Sequence, residues 1–251
     1  MTDPEPRLPK LRRSMRSVEA AAIAGIVFSV LFVTALLVMS RAPGFDASLT
    51  EIRVFYDDPE AVHSVVVGIQ LVPIAVIALV WFIAVIRRRI GDREDKLFST
   101  VFMGGGLLFG ALVLVGAATA GAPALVTELT GRPPDPETAI LFRGVGSALL
   151  AIQGPRIGSL FIFSASTLGL RTGAFPRWLS LLGYVLGLSL LIPLPFIDAG
   201  RFAFPAWVGM ASLTLLIRVR TVPLETPSPS FDDEAGEGPP GPSTGGPDQR
   251  S

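Results

Sequence analysis

Residues 64–86 read SVVVGIQLVPIAVIALVWFIAVI, and the next three are Arg87, Arg88 and Arg89. Those 23 residues carry no charge. As a helix they would extend about 35 Å, enough to cross a hydrocarbon core about 30 Å thick. Lipid offers the backbone no hydrogen-bond partners, so only a helix or a closed barrel can occupy it. The arginine triplet then marks a water-facing edge, and Trp81 lies just inside it, where an amphipathic ring is favoured.

The same reading extends along the chain. Ala20–Ser40 precedes this run, and Leu97–Gly121, Thr138–Leu170, Leu179–Ile197 and Phe202–Ile217 follow. The expected fold is an all-α, polytopic transmembrane bundle of six spans. Residues 1–17 form a basic tail, 18–221 the membrane domain, and 222–251 a separate acidic tail. The first run is preceded by Arg7, Lys10, Arg12, Arg13 and Arg16, as in a secretory signal. Its apolar part is longer than the usual ~7–15 residues, and Ser40-Arg41-Ala42-Pro43 is a poor cleavage sequence, so it reads as an uncleaved anchor. Thr138–Leu170 is too long for one upright span, and Gly154-Pro155 within it can kink a helix or turn a hairpin.

Composition agrees with a membrane location. Half of the 251 residues are hydrophobic, 17% are charged and the mean hydropathy is +0.56. A soluble globular enzyme rarely has that balance. Arginine accounts for 19 of the 21 basic residues, a bias that a GC-rich genome produces. The expected home is a bacterial plasma membrane. Lys and Arg distribution sets orientation. Fourteen fall on one side: the leader, the 87–96 segment, Arg171, Arg177, Arg218 and Arg220. Arg41, Arg53, Arg132 and Arg201 fall on the other. Both termini are thereby expected in the cytoplasm.

Between the first two spans, Asp46 or Ser48 can cap a short helix that begins at Leu49 and ends at Asp57-Asp58-Pro59. Leu49, Ile52, Phe55 and Tyr56 would share one side of it. The 222–251 tail has seven prolines, five glycines and the run Asp232-Asp233-Glu234. Too polar to bury a core, it is expected to be disordered and able to dock a cytoplasmic protein. Small residues recur at helical spacing: Ala21, Gly25 and Ser29; Gly106, Gly110, Ala117 and Gly121; Gly154 and Gly158; Gly183 and Gly187. Such stripes let helix backbones approach in lipid. They serve internal packing or a homo-oligomer face.

The chemistry available is narrow. There is no cysteine, one histidine and no asparagine. Disulfides, thiolate metal sites and multi-histidine sites are excluded. No phosphate-cradling loop or nucleophile elbow occurs, and no carboxylate sits deep in a span. No metal, cofactor or nucleic-acid partner is expected, and a catalytic role is the least favoured reading. Arg156 and Arg143 lie within the fourth run. A guanidinium keeps its proton and must find polar partners. Gln153, one turn from Arg156, and Gln70 in the second run are candidates. Arg156, Gln153, Arg143 and Gln70 therefore form the candidate anion or lipid-headgroup set. Arg156 is expected toward the cytoplasmic half, and Trp207 toward the opposite side.

Three stretches carry a resemblance. They are Glu51-Ile52-Arg53-Val54-Phe55-Tyr56-Asp57-Asp58, the basic turn into a glycine-rich third helix, and Arg171-Thr172-Gly173-Ala174-Phe175-Pro176-Arg177-Trp178-Leu179 followed by Gly183. In these the chain resembles a group of uncharacterised six-helix integral membrane proteins of actinobacterial type, over roughly residues 18–218. The resemblance implies a membrane bundle and transfers no activity. The leading expectation is a non-enzymatic subunit that binds another membrane or cytoplasmic protein, or is associated with the envelope. A small permease or lipid-handling protein built on Arg156 is the alternative. If the charge split sets orientation, reporter fusions at both ends will read cytoplasmic. A fusion after Gly131 will read on the far side, and termini on opposite faces would overturn the topology.

Overall fold

The computed structural model describes residues 8–44, 47–90, 96–173, 175–192 and 197–221, and every regular element among them is helical. The chain forms α1 (Leu8–Met39), α2 (Leu49–Asp57), α3 (Pro59–Ile90), α4 (Lys96–Thr130), α5 (Pro136–Ala148), a π-helical turn (Leu149–Gln153), α6 (Gly154–Thr172), α7 (Arg177–Leu191) and α8 (Ile197–Thr221). The expected disorder of residues 222–251 and the Asp46 cap fall outside the described residues.

Five helices are long and apolar enough to cross a membrane: Glu19–Met39, Pro59–Arg87, Leu97–Thr130, Pro136–Thr172 and Gly200–Arg218. This is a helical membrane protein. The fifth of the six expected runs forms α7, whose 15 residues extend only about 22 Å. The long fourth run is no hairpin. Helix continues from Pro136 to Thr172, with the π turn accommodating the strain around Gly154-Pro155. Proline has no N–H to give to the preceding turn, and a widened turn is one way to absorb that loss.

Helix ends follow local chemistry. Ser48 caps α2 in a reciprocal capping box: its Oγ accepts from Glu51 N at 3.2 Å, and Ser48 N donates to Glu51 Oε2 at 2.7 Å. Asp135 caps α5, accepting from Thr138 N at 3.2 Å, with Pro136 at the first helical position. Gly173 ends α6 at φ 68°, a conformation that side chains with a Cβ resist. The 171–179 motif thus carries the end of α6 and the start of α7. Phe175 is buried against Gly169 and packs edge-on to Trp207, and the Arg218 guanidinium donates to Gly173 O at 2.9 Å. Trp207 was expected toward the opposite side. It is instead fully buried beside Phe175 and the start of α7, with its indole N–H directed at Leu179 O.

Aromatic rings fill the centre of the bundle. Phe109 stacks on Phe204 at 3.8 Å and Phe102 on Phe161 at 4.6 Å, while Phe28 and Phe32 close the set from α1. The small-residue positions let the helices come this close. A Cβ on Gly25 would strike Ser212 Oγ and Phe82, and one on Gly183 would strike Ser166 Oγ and the Trp207 indole. Ser166 and Ser212 are fully buried with hydroxyls that have no hydrogen-bond partner, so each rests on the glycine of a neighbouring helix.

A second, smaller core lies at one end. The Cβ positions of Gly68, Gly121 and Gly146 meet Met39, Ile69 and Ala120 respectively. These contacts define one level, at the end of α1. Beyond it stand α2, α5, the start of α3 and the end of α4. They enclose Ala42, Ile52, Tyr56, Val62, Val65, Val66, Ala124 and Ala139. This is a cap on the bundle.

Gly25→Ala should lower stability by about 1–3 kcal/mol, the usual cost of overfilling a packed contact. Ser212→Ala alone should be close to neutral, because it removes an unsatisfied hydroxyl. In the double variant part of the loss should return. Thermal unfolding in detergent of the four chains gives the coupling. Simple additivity would refute the serine-on-glycine contact.

Candidate functional site

Two polar sites emerge, and three of the four candidate residues divide between them. Arg143 belongs to the cap. It lies on the face of α5 opposite the exposed Leu141 and Val145, so its side chain turns inward. Its Nη2 donates to Ala42 O at 3.1 Å, fastening the segment after α1 to α5. Beside it is a cavity of about 10 Å³ lined by Pro43, Gly44, Ile52, Tyr56, Ala139, Ile140 and Arg143, about the space one water requires. Tyr56 is buried at this point. Burial raises its phenol pKa above the usual 10.0, and the positive charge of Arg143 draws it part of the way back. Here Arg143 acts as a clasp within the chain.

Arg156 and Gln153 form the second site. The π turn places them one turn apart on the outward side of the α5–α6 rod, with Gln153 exposed and Arg156 part-buried. Depth follows from neighbours. A Cβ on Gly158, two residues on, would meet Phe204 and Phe109. Those rings pack on Phe28 and Phe32, midway along the Glu19–Met39 span. Arg156 therefore lies level with the middle of the Glu19–Met39 helix. Among the described residues its guanidinium has no hydrogen-bond or ion-pair partner. An arginine at the centre of a bilayer costs about 2.5–3.5 kcal/mol on insertion scales. Nothing described within the chain offsets that cost.

Gln70 stands apart from both. It is exposed on α3, which packs against α1 and α4 rather than α6. At the cap, His63 Nδ1 lies 3.2 Å from Glu128 Oε1, a pairing of α3 with α4 at the surface. Among the described residues no group of three His, Cys, Asp or Glu is placed to hold a metal ion.

The Tyr56–Arg143–Ala42 junction was not visible in the sequence. Its members are far apart in the chain, and Ala42 contributes only a backbone carbonyl. No family model, curated protein or solved structure matches the chain.

The Tyr56 environment gives a signed expectation. The fold favours the neutral phenol, so this contribution is present below pH 10 and is lost as pH rises through the higher folded value. Only Tyr56 and Tyr184 absorb as phenolates. In a Tyr184→Phe background, alkaline ultraviolet titration should show the remaining tyrosine ionising above the ordinary range. Arg143→Met should push it higher still and cost roughly 1–3 kcal/mol, by leaving the buried Ala42 carbonyl unpaired. A normal titration unaffected by Arg143→Met would refute the junction.

Proposed function

We propose that this protein is a non-enzymatic integral membrane subunit that assembles with a second membrane protein through the α6 face bearing Arg156. The observation that carries the proposal is a permanently charged group near mid-depth, part-buried, without a partner among the described residues. An acidic or amide side chain on an apposed transmembrane helix would satisfy it. Exposed Gln153, one turn away, offers that helix a second hydrogen-bonding group.

Two further features support assembly over conduction or catalysis. The bundle centre between α1, α4, α6 and α8 is filled by phenylalanine rings. The buried polar side chains among the described residues are serine and threonine hydroxyls, the Tyr56 phenol and the Trp207 indole, none of which titrates near neutral pH. In this reading both termini are cytoplasmic, the cap faces outward, and the membrane is the bacterial plasma membrane.

A second reading rests on the same arginine. A phospholipid phosphate drawn inward along α6 would also satisfy the guanidinium, making this a lipid-handling protein. Photo-crosslinkers at Gln153 and Leu160 in native membranes separate the two. A discrete protein adduct, reduced at least fivefold by Arg156→Leu and absent from a control probe at Val185 on α7, is the expected result. Lipid adducts alone, with phospholipid lost from the purified Arg156→Leu protein in native mass spectrometry, would replace the first reading with the second. If neither adduct depends on Arg156, both readings fail.

A further inference from the structure

We infer that the cap docks on the bilayer itself: its α4/α5 edge lies in the outer headgroup layer while its α2 edge stands in water. The argument begins with helix length. The Leu97–Thr130 span has 34 residues, about 50 Å of helix, and Pro136–Thr172 has 37, about 55 Å. The Glu19–Met39 span has 21, about 31 Å. Only the last matches a hydrocarbon core of about 30 Å. The excess of the two longer spans forms the cap, above the level marked by Met39, Gly68, Gly121 and Gly146.

The surface of that excess differs by side. On α4, Leu125, Val126 and Leu129 are exposed, Leu129 by 76%. On α5, Leu141, Phe142 and Val145 are exposed, Leu141 by 65%. The α4 residues continue, at helical spacing, the lipid-facing stripe of Val101, Leu108, Ala111 and Val115 lower on the same helix. No charge interrupts this edge between Ala118 and Leu129 except Glu128, which is turned toward His63 of α3. On α5 the one charge between Glu137 and Val145 is Arg143, which is turned inward to Ala42 O. The edge becomes polar only at its tip, where Thr130, Arg132, Asp135 and Glu137 are exposed.

At the same height the opposite edge is a water surface. Arg41, Glu51, Arg53, Asp57 and Glu60 are all exposed there. Hydrocarbon and headgroups together are about 40–45 Å thick. An apolar face of about 50 Å fits that thickness where it does not fit the core alone. Its continuity with the spanning stripe identifies its cover as lipid, in the manner of interfacial helices.

The chain has no cysteine, so single cysteines report without background. Leu129→Cys and Leu141→Cys, with Val54→Cys and Glu60→Cys as controls, would carry an environment-sensitive fluorophore in phosphatidylcholine–phosphatidylglycerol vesicles. All four positions are exposed, so folding should tolerate the changes. Leu129 and Leu141 should be quenched at least threefold more strongly by headgroup-region nitroxide lipids than by aqueous iodide. Val54 and Glu60 should show the reverse. Equal iodide quenching at all four positions would overturn the inference. So would oxidative crosslinking of Leu141→Cys into a dimer shielded from both quenchers, which would identify a second copy as the cover.

Discussion

In lipid, two helices gain little by hiding apolar surface from each other, because the acyl chains are equally apolar. What remains is close contact, and close contact is limited by Cβ atoms. The bundle satisfies this constraint by placing glycine wherever another helix bears on the backbone. Gly25 receives Ser212 and Phe82, Gly106 receives Ile83 and Phe161, Gly158 receives Phe204, and Gly183 receives Ser166 and Trp207. The space gained is filled by flat rings that stack or meet edge to face. Remove the glycines and the rings cannot come together. Remove the rings and the close approach leaves voids. The rest of the architecture, the cap included, is carried by helices held in this way.

Much of that arrangement was legible in the sequence, because it depends on local pattern. Long apolar runs marked five helices long enough to span, glycines at helical spacing marked the packing faces, and Ser48 marked the start of α2. The parts that were not legible depend on which residues meet. Trp207 follows an outward-reading segment, yet α8 brings it against Phe175 and Leu179 at the start of α7. Residue position along the fourth run put Arg156 toward the cytoplasmic half. That reading centred the fourth run on its midpoint, whereas most of α5 stands above the level of Gly146, in the cap, and shifts the height of everything after it. Hydropathy could not separate spanning residues from cap residues, since both are apolar.

The two arginines of the fourth run show how one residue type serves opposite ends. Arg143 is spent inside the fold: a carbonyl receives it, and the buried Tyr56 phenol lies within its field. Arg156, thirteen residues later, comes after a π turn that changes the helical phase. In an unbroken α-helix, thirteen residues rotate a side chain by about 220°, so the two would already face apart. The wider π turn advances fewer degrees per residue and so changes that phase; Gln153 is exposed, with Arg156 part-buried one turn on. Pro155 supplies the local cause, since its missing N–H disfavours a regular turn there. The kink and the exposed polar pair thus have one origin.

The cap and the mid-depth arginine also constrain each other. A helix that approached Arg156 from the lipid would pass alongside the α5–α6 rod, beneath the edge formed by Leu141, Phe142 and Val145. If that edge rests in the headgroups, it leaves room for a spanning helix below but not for a bulky soluble domain pressed against the same side. The water-facing portion of any partner would instead meet α2, where Arg53 and Val54 project. Length mismatch between helices that share one inner end therefore separates the two surfaces: an apolar side for membrane contacts and a charged side for aqueous ones.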